Sequence, residues 1–289
     1  MATRFELLLY GDDPAHLRAA GEEALAEIAR LEAQLSLYRP DSEISFLNAR
    51  ATNAPVPVDP RLFALLARAR QLSEETGGAF DITVAPLMRC WGFMGGTGRL
   101  PSEEEIAATR ERVGMHHVHL DEENFTVHFA RPGVMLDLGA IGKGYAVDRA
   151  IRLLCDNGIS SALLHGGTST VYGLGAPPEA EAWTIALRRP YAPDSEDHLA
   201  RIPLRDAALS VSAPHGKAFE IDGRRYGHVL DSRTGRPTES ALLAAVVTRS
   251  ATDSDALSTA LLTLGTDGLS LLTAHHPDAR ALILPVEEG

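Results

Sequence analysis

Cysteine is almost missing from this 289-residue chain. Only Cys90 and Cys155 occur, far apart, which excludes a disulfide scaffold and any Cys-x-x-Cys metal or redox pair and leaves both expected as small core residues. A basic surplus is missing too: 27 Lys and Arg against 39 Asp and Glu give a formal charge of -12, with a pI near 5.4. Nucleic acid and anionic membranes need a cationic footprint, so the balance argues against both, and an anionic ligand must find a local positive site or bring its own cation. Nor is any apolar run long enough to cross a bilayer, and the opening MATRFELLLYGDD lacks the basic-then-apolar order of an export signal. The chain as given is expected in the cytoplasm, or in a periplasmic or membrane-anchored setting if an N-terminal segment has been removed.

What is present is a globular composition, 45% hydrophobic and 23% charged, in a chain long enough to bury a substantial core. Phe5 to Tyr10 reads as a strand, and Leu17, Ala20, Ala24, Ile28, Leu31 and Leu35 recur at helical spacing after it. A second helix is expected from Pro60 to Glu75, with proline in its first turn and Gly77-Gly78 as its stop. Ser102 followed by Glu105 predicts a capped helix start, and residues 117 to 129 predict a hairpin around Asp121 to Asn124. Further strands are expected at Val134 to Leu138, Ala162 to His165, Trp183 to Leu187, Leu209 to Ser212, Phe219 to Ile221, Arg225 to Leu230, Leu243 to Thr248 and Ala281 to Pro285. Helices are expected at Tyr145 to Asn157, Asp255 to Leu264 and Thr266 to His275, with surface loops at Ala176 to Ala182 and Pro190 to His198. Strands without regular helix alternation predict an α+β fold in a single domain, 1–289, and argue against a doubly wound sheet.

Four segments carry chemistry. In Val134 to Ala150 a Gly-rich turn opens a helix: Gly139, Gly142 and Gly144 permit positive φ and close approach, while Lys143 and the helix N-terminus offer positive charge. The pattern is neither a Walker A loop nor a Rossmann fingerprint, and an anion site and a plain tight turn both fit it. In Thr76 to Phe93, Phe80 can pack and Asp81 can accept hydrogen bonds, from a ligand or from its own loop. In Arg249 to Gly265, Asp255 and Thr259 lie four apart, so on a helix they share a face suited to a hard cation such as Mg²⁺, which needs further oxygens from carbonyls or a diphosphate. The alternative is a capping Asp with Thr259 bonded back along its own helix. In Arg224 to Pro237, a strand delivers His228 and Asp231 to a turn at Thr234-Gly235, which fits a titratable pair at a cleft edge and equally a histidine that is only structural. His116, His117 and His119 resemble a metal cluster, but only His117 and His119 are expected on one strand face.

Together with LSLYRPDSEISFLN and HGGTSTVYGLG, these segments in this order resemble the ApbE family of FAD:protein FMN transferases, over almost the whole chain. The resemblance implies an antiparallel sheet core with flanking helices, related to tetrahydrobiopterin-synthase-like (T-fold) domains. It implies FAD as substrate, with Met1, Ala79, Phe80, Asp81, Asp137 and Lys143 at the FAD site, and Mg²⁺ held by the Ala140 carbonyl, Asp255 and Thr259. His228 matches the family histidine associated with catalysis, and with Asp231 makes the expected proton-accepting pair. The implied reaction moves FMN from FAD onto a threonine hydroxyl of a client flavoprotein and releases AMP. The chain departs from the pattern at Thr168, where Gly-Gly-Asp is usual, at Ser232, where Asp-Pro is usual, and at Ala213, where Thr-Ser-Gly is usual. The same site could instead hydrolyse FAD to FMN and AMP, or hold FAD without turnover.

Overall fold

The computed structural model describes residues 3–190, 198–214 and 216–286. Its centre is a six-stranded sheet in the order Phe5–Tyr10, Ser161–Gly166, Thr170–Leu174, Ala207–Ser212, Ala241–Thr248, Arg280–Pro285, with every neighbouring pair antiparallel. Side-chain alternation gives the sheet two apolar faces. Ala162, Leu164, Tyr172, Ala208, Ala244 and Val246 belong to the main core, together with the inward residues of helices Pro14–Leu35, Gly142–Asp156 and Ala251–Leu264. The alternate residues Val171, Leu209, Ala245 and Val247 pack in a second core under the hairpin formed by Trp183–Arg188 and His198–Leu204. The architecture is therefore mixed helix and antiparallel sheet, as the strand-rich pattern predicts.

The long periodic elements form where their residues predict. The first helix buries Ala20, Ala24, Ile28, Leu31 and Leu35, and Pro60–Glu75 buries Leu62, Leu65, Leu66, Ala69 and Leu72. Ser102 and Glu105 make the full reciprocal capping box. Elsewhere the structure differs from the pattern. Val134 to Leu138 is extended but is no strand, because the Asn48 side chain exchanges hydrogen bonds with Leu136 N and O (2.8 and 3.0 Å) and Asp137 N donates to Ile82 O (2.7 Å). A side chain thus satisfies backbone that a neighbouring strand would otherwise pair. The Arg225 to Leu230 segment is broken: Arg224–Gly227 pairs with Ala218–Ile221, then Leu230–Asp231 pairs with Arg236–Pro237. The chain changes partner at His228.

Two short helices, Glu43–Arg50 and Ala85–Cys90, and the strands Thr170–Leu174 and His198–Leu204 were not expected. Both site-bearing helices start earlier than expected, at Gly142 and Ala251. His117 belongs to a 3-10 turn, Met115–His117, rather than to the strand Val118–Asp121 that carries His119. Cys90 is buried, whereas Cys155 lies on the exposed side of its helix, not in the core. No helix among the described residues is long and apolar enough to cross a membrane.

Candidate functional site

The helices Gly142–Asp156 and Ala251–Leu264 meet at Gly144. A Cβ there would lie 2.1 Å from Ala251 O and 2.9 Å from the Asp255 Cβ, so only glycine permits the approach. None of Gly139, Gly142 and Gly144 has a positive φ, which corrects one half of the expectation for this turn and leaves close approach as the reason for glycine at 144. The contact lets each helix use an aspartate of the other. Asp148 accepts from Ser250 Oγ (2.9 Å), Ala251 N (2.7 Å), Thr252 N (2.8 Å) and Thr252 Oγ1 (2.6 Å) at the start of the second helix. Asp255 accepts from Gly144 N (3.0 Å) in the first turn of the first helix, a favoured place for an anion.

Asp255 is buried, and around it the groups that could handle a phosphate gather. Lys143 Nζ stands 3.4 Å from Asp255 Oδ1 and donates to Gly139 O at 3.0 Å. Thr170 Oγ1 donates to the same Oδ1 at 3.4 Å. Thr259 Oγ1 donates to Asp255 O at 3.3 Å and contacts Ser212 Oγ at 3.2 Å. The back-bond of the alternative reading is therefore present, but Ser250, not Asp255, is the helix cap. The donor set suits a hard divalent cation: a carboxylate and a hydroxyl, all oxygen, with a lysine ammonium as the exchangeable counter-charge. Among the described residues no group of three or more His, Cys, Asp or Glu could hold a metal, so a cation here must draw on hydroxyl, carbonyl or substrate oxygens. Ala140 lies half-buried in the turn between Gly139 and the helix.

Asp137 sits just before the turn and accepts from Gly139 N at 2.8 Å. Burial pushes its carboxyl above the usual aspartate value, against the Gly139 amide and the charges of Lys143 and Lys217. His228 shares the same two cationic neighbours, Lys143 and Lys217. Its N–H and its ring both reach Lys217 O, at 3.0 and 3.1 Å. A carbonyl only accepts, so Nδ1 carries the proton and the neutral ring keeps its lone pair on Nε2. Burial lowers the ring's pKa below the ordinary value, the Lys217 carbonyl opposes this, and the charges of Lys217 and Lys143 add to the lowering. Asp231, three residues on, is not free beside it: Arg233 grips its carboxylate with Nε and a terminal nitrogen, at 2.9 and 2.8 Å.

Lys217 is the neighbour of this candidate site that the motifs did not single out. Its ammonium lies 5.7 Å from the Tyr38 ring centroid. A signal for it was available: the chain has 27 Lys and Arg, yet Lys143 and Lys217 are its only lysines, and the field at Asp137 and at His228 registers both.

Ala79 and Phe80 are buried in the main core. Asp81 accepts from Thr83 N (2.7 Å), Thr83 Oγ1 (2.6 Å) and Met115 N (3.1 Å), while burial raises its carboxyl. It forms one wall of a cleft of about 670 Å³ shared with Gly77, Gly78, His116 and Arg233. Ser232, where a proline is usual, donates to Gly78 O at 2.5 Å and ties the two turns of this cleft together. Thr168 is exposed in the turn before Thr170–Leu174, and Ala213 is half-buried just after Ser212. Met1 lies outside the described residues.

A sequence model of the ApbE family matches residues 1–283. The FAD:protein FMN transferase of Treponema pallidum is 32% identical over 298 residues, covering 98% of this chain and 82% of that protein. The Escherichia coli K12 protein of the same name is 29% identical, covering 92% and 76%. Among solved structures, the ApbE protein of Thermotoga maritima superposes with a TM-score of 0.87 at 29% identity, over 97% of this chain and 94% of that one. The apo flavinyl transferase ApbE of Pseudomonas stutzeri gives 0.85 at 32% identity, over 98% and 88%.

Proposed function

The chain belongs to the ApbE family, and from that premise we propose that it is an FAD:protein FMN transferase that uses Mg²⁺, attaches FMN to a threonine hydroxyl of a client flavoprotein and releases AMP. The observation that supports this reading is Lys143 beside the buried Asp255, together with His228, whose Nδ1 is held by Lys217 O and whose Nε2 is left as a proton acceptor. The hydroxyl oxygen attacks the phosphorus on the FMN side of the diphosphate, the bond to the AMP oxygen breaks, and the hydroxyl proton passes to His228 Nε2. Asp231 holds the following turn through Arg233, so the proton falls to the histidine alone.

Charge balance supports a divalent cation. Asp137 and Asp255 are offset by Lys143 and Lys217, which leaves nothing to neutralise an incoming diphosphate. Mg²⁺ held by Asp255, Thr259 and the Ala140 carbonyl would supply Lewis-acid stabilisation of the phosphate oxygens. Lys143 and Lys217 would keep the field around the diphosphate positive once the cation is bound, and preorganised charge of this kind is the main source of rate in phosphoryl transfer. The reading also carries the kinship of the central sheet to tetrahydrobiopterin-synthase-like domains and the role of the backbone at Ala79, Phe80 and Asp81 in the flavin groove.

The test is to incubate the purified protein with FAD and Mg²⁺, with and without an acceptor flavoprotein, and to measure AMP and the acceptor's mass. AMP with an acceptor heavier by one FMN is the expected result. AMP without the adduct would make the protein an FAD pyrophosphatase, and bound FAD with no AMP would make it a carrier.

A further inference from the structure

The interface between the Ala251–Leu264 helix and the central sheet is polar where it should be apolar. Helix residues four apart are about 6 Å apart, and strand residues two apart about 6.8 Å. Ser254 and Ser258 on the helix therefore meet Ser210 and Ser212 on the strand, each pair at 2.8 Å. Thr170 is the register partner of Ser210 on the adjacent strand and shares its face. Ser210 Oγ donates to Thr170 Oγ1 at 3.2 Å, and Thr170 Oγ1 donates to Asp255 Oδ1. Thr170, Ser210 and Ser254 are all within 1% of full burial, out of reach of bulk water.

The direction of this chain follows from its end. A carboxylate oxygen only accepts, so Thr170 must donate to it. Thr170 then receives from Ser210, whose single proton is spent there, so in the Ser210–Ser254 contact the donor is Ser254, which shares its proton between Ser210 Oγ and Ala251 O (3.1 Å). Alanine or valine at these sites would pack as well without any hydroxyl to satisfy, so stability alone gives no reason for them. We infer that Thr170, Ser210 and Ser254 form a one-way hydroxyl relay whose task is to orient the Asp255 carboxylate toward the divalent cation, making them positioning residues for the metal-dependent step. This rests on the Mg²⁺ reading above. In this role the three residues act through Asp255, to which Thr170 alone donates directly. The sequence feature that marks them is a run of hydroxyls on two strands and one helix at matching periods.

The relay is tested by titrating Mn²⁺ into the FAD-saturated, acceptor-free protein and following loss of the free-ion EPR signal. Removing a hydrogen bond to a metal-ligating carboxylate costs about tenfold or more in metal affinity. Thr170→Val is expected to weaken Mn²⁺ binding by about that factor and to raise the KM for metal while kcat at saturating metal stays close to that of the parent. Thr170→Ser, which restores the donor, is expected to recover the affinity, and Ser210→Ala to fall between. Should the valine variant fail to fold, Thr170→Ala and Ser210→Ala carry the same comparison. Parental Mn²⁺ affinity in the folded Thr170 and Ser210 variants would overturn the relay and leave the metal reading intact. A parent protein that binds no divalent cation would instead overturn the metal reading, and the relay with it.

Discussion

Asp148 and Asp255 stand at opposite sides of one helix crossing, and each accepts from the first turn of the other's helix. Asp148 takes four short donors from three consecutive residues, which saturate it. Asp255 takes one backbone amide, one long hydroxyl bond and a lysine at 3.4 Å. The first arrangement fixes a helix start and has no capacity left. The second is the more deeply buried yet under-coordinated, with a lysine as its cationic neighbour. Two aspartates in similar places thus differ in how many of their lone pairs the chain itself satisfies, and the unsaturated one is the candidate for chemistry.

The comparison is sharpest under substitution. Asp255→Asn keeps an acceptor for Gly144 but removes the charge, and FMN transfer is expected to fall by about 10³-fold with a small change in melting temperature. Gly144→Ala drives a methyl into Ala251 O and should cost roughly 3 kcal/mol of stability, read by denaturant unfolding, because neither backbone can yield. His228→Ala is expected to lower transfer by about 10²-fold, the loss of a positioned proton acceptor, and a variant with the parental rate would remove the histidine from the mechanism. In the parent protein the lowered pKa of His228 puts the acid limb of the rate below about pH 6.5, since the ring must be neutral to accept the proton. The sign for stability is the same: the unfolded histidine binds its proton more readily, so stability is present above the unfolded value and declines as pH falls below it.

Asp148→Asn breaks the comparison from the other side. It places an amide donor against backbone donors and should cost about 2 kcal/mol, while transfer measured well below the melting temperature changes little. If Asp148→Asn and Asp255→Asn had the same profile of stability and rate, the division between the two aspartates would be wrong. The smallest effect is expected at Cys155→Ser, within about 0.5 kcal/mol and without loss of transfer, since the residue is on the surface.

How legible each part was depended on the length of its pattern. Pro14–Leu35 and Pro60–Glu75 carry several turns of apolar residues and were visible at once. Glu43–Arg50 buries only Ile44 and Leu47, too few to set a period, and Ala85–Cys90 is shorter than two turns. Thr170–Leu174 hid behind Gly173, which reads as a turn residue but is there because the Trp183 ring lies against it, where a Cβ would be 2.8 Å away. At the site, Lys143, Asp255, Thr259 and His228 all stood out by their motifs. Asp231 stood out equally, and its grip by Arg233 was invisible from their spacing.

The sequence by itself determined the faces: which residues of each periodic element turn inward, that Asp255 and Thr259 share one side of a helix, and that Lys143 follows a Gly-rich turn. The tertiary structure decided the partners. Gly144 and Asp255 are 111 residues apart, Asp148 and Ala251 are 103 apart, and Thr170 and Asp255 are 85 apart. A period fixes the direction in which a side chain points, but what it meets there depends on how whole elements dock, and only the close approach at Gly144 made one aspartate a saturated cap and left the other open for chemistry.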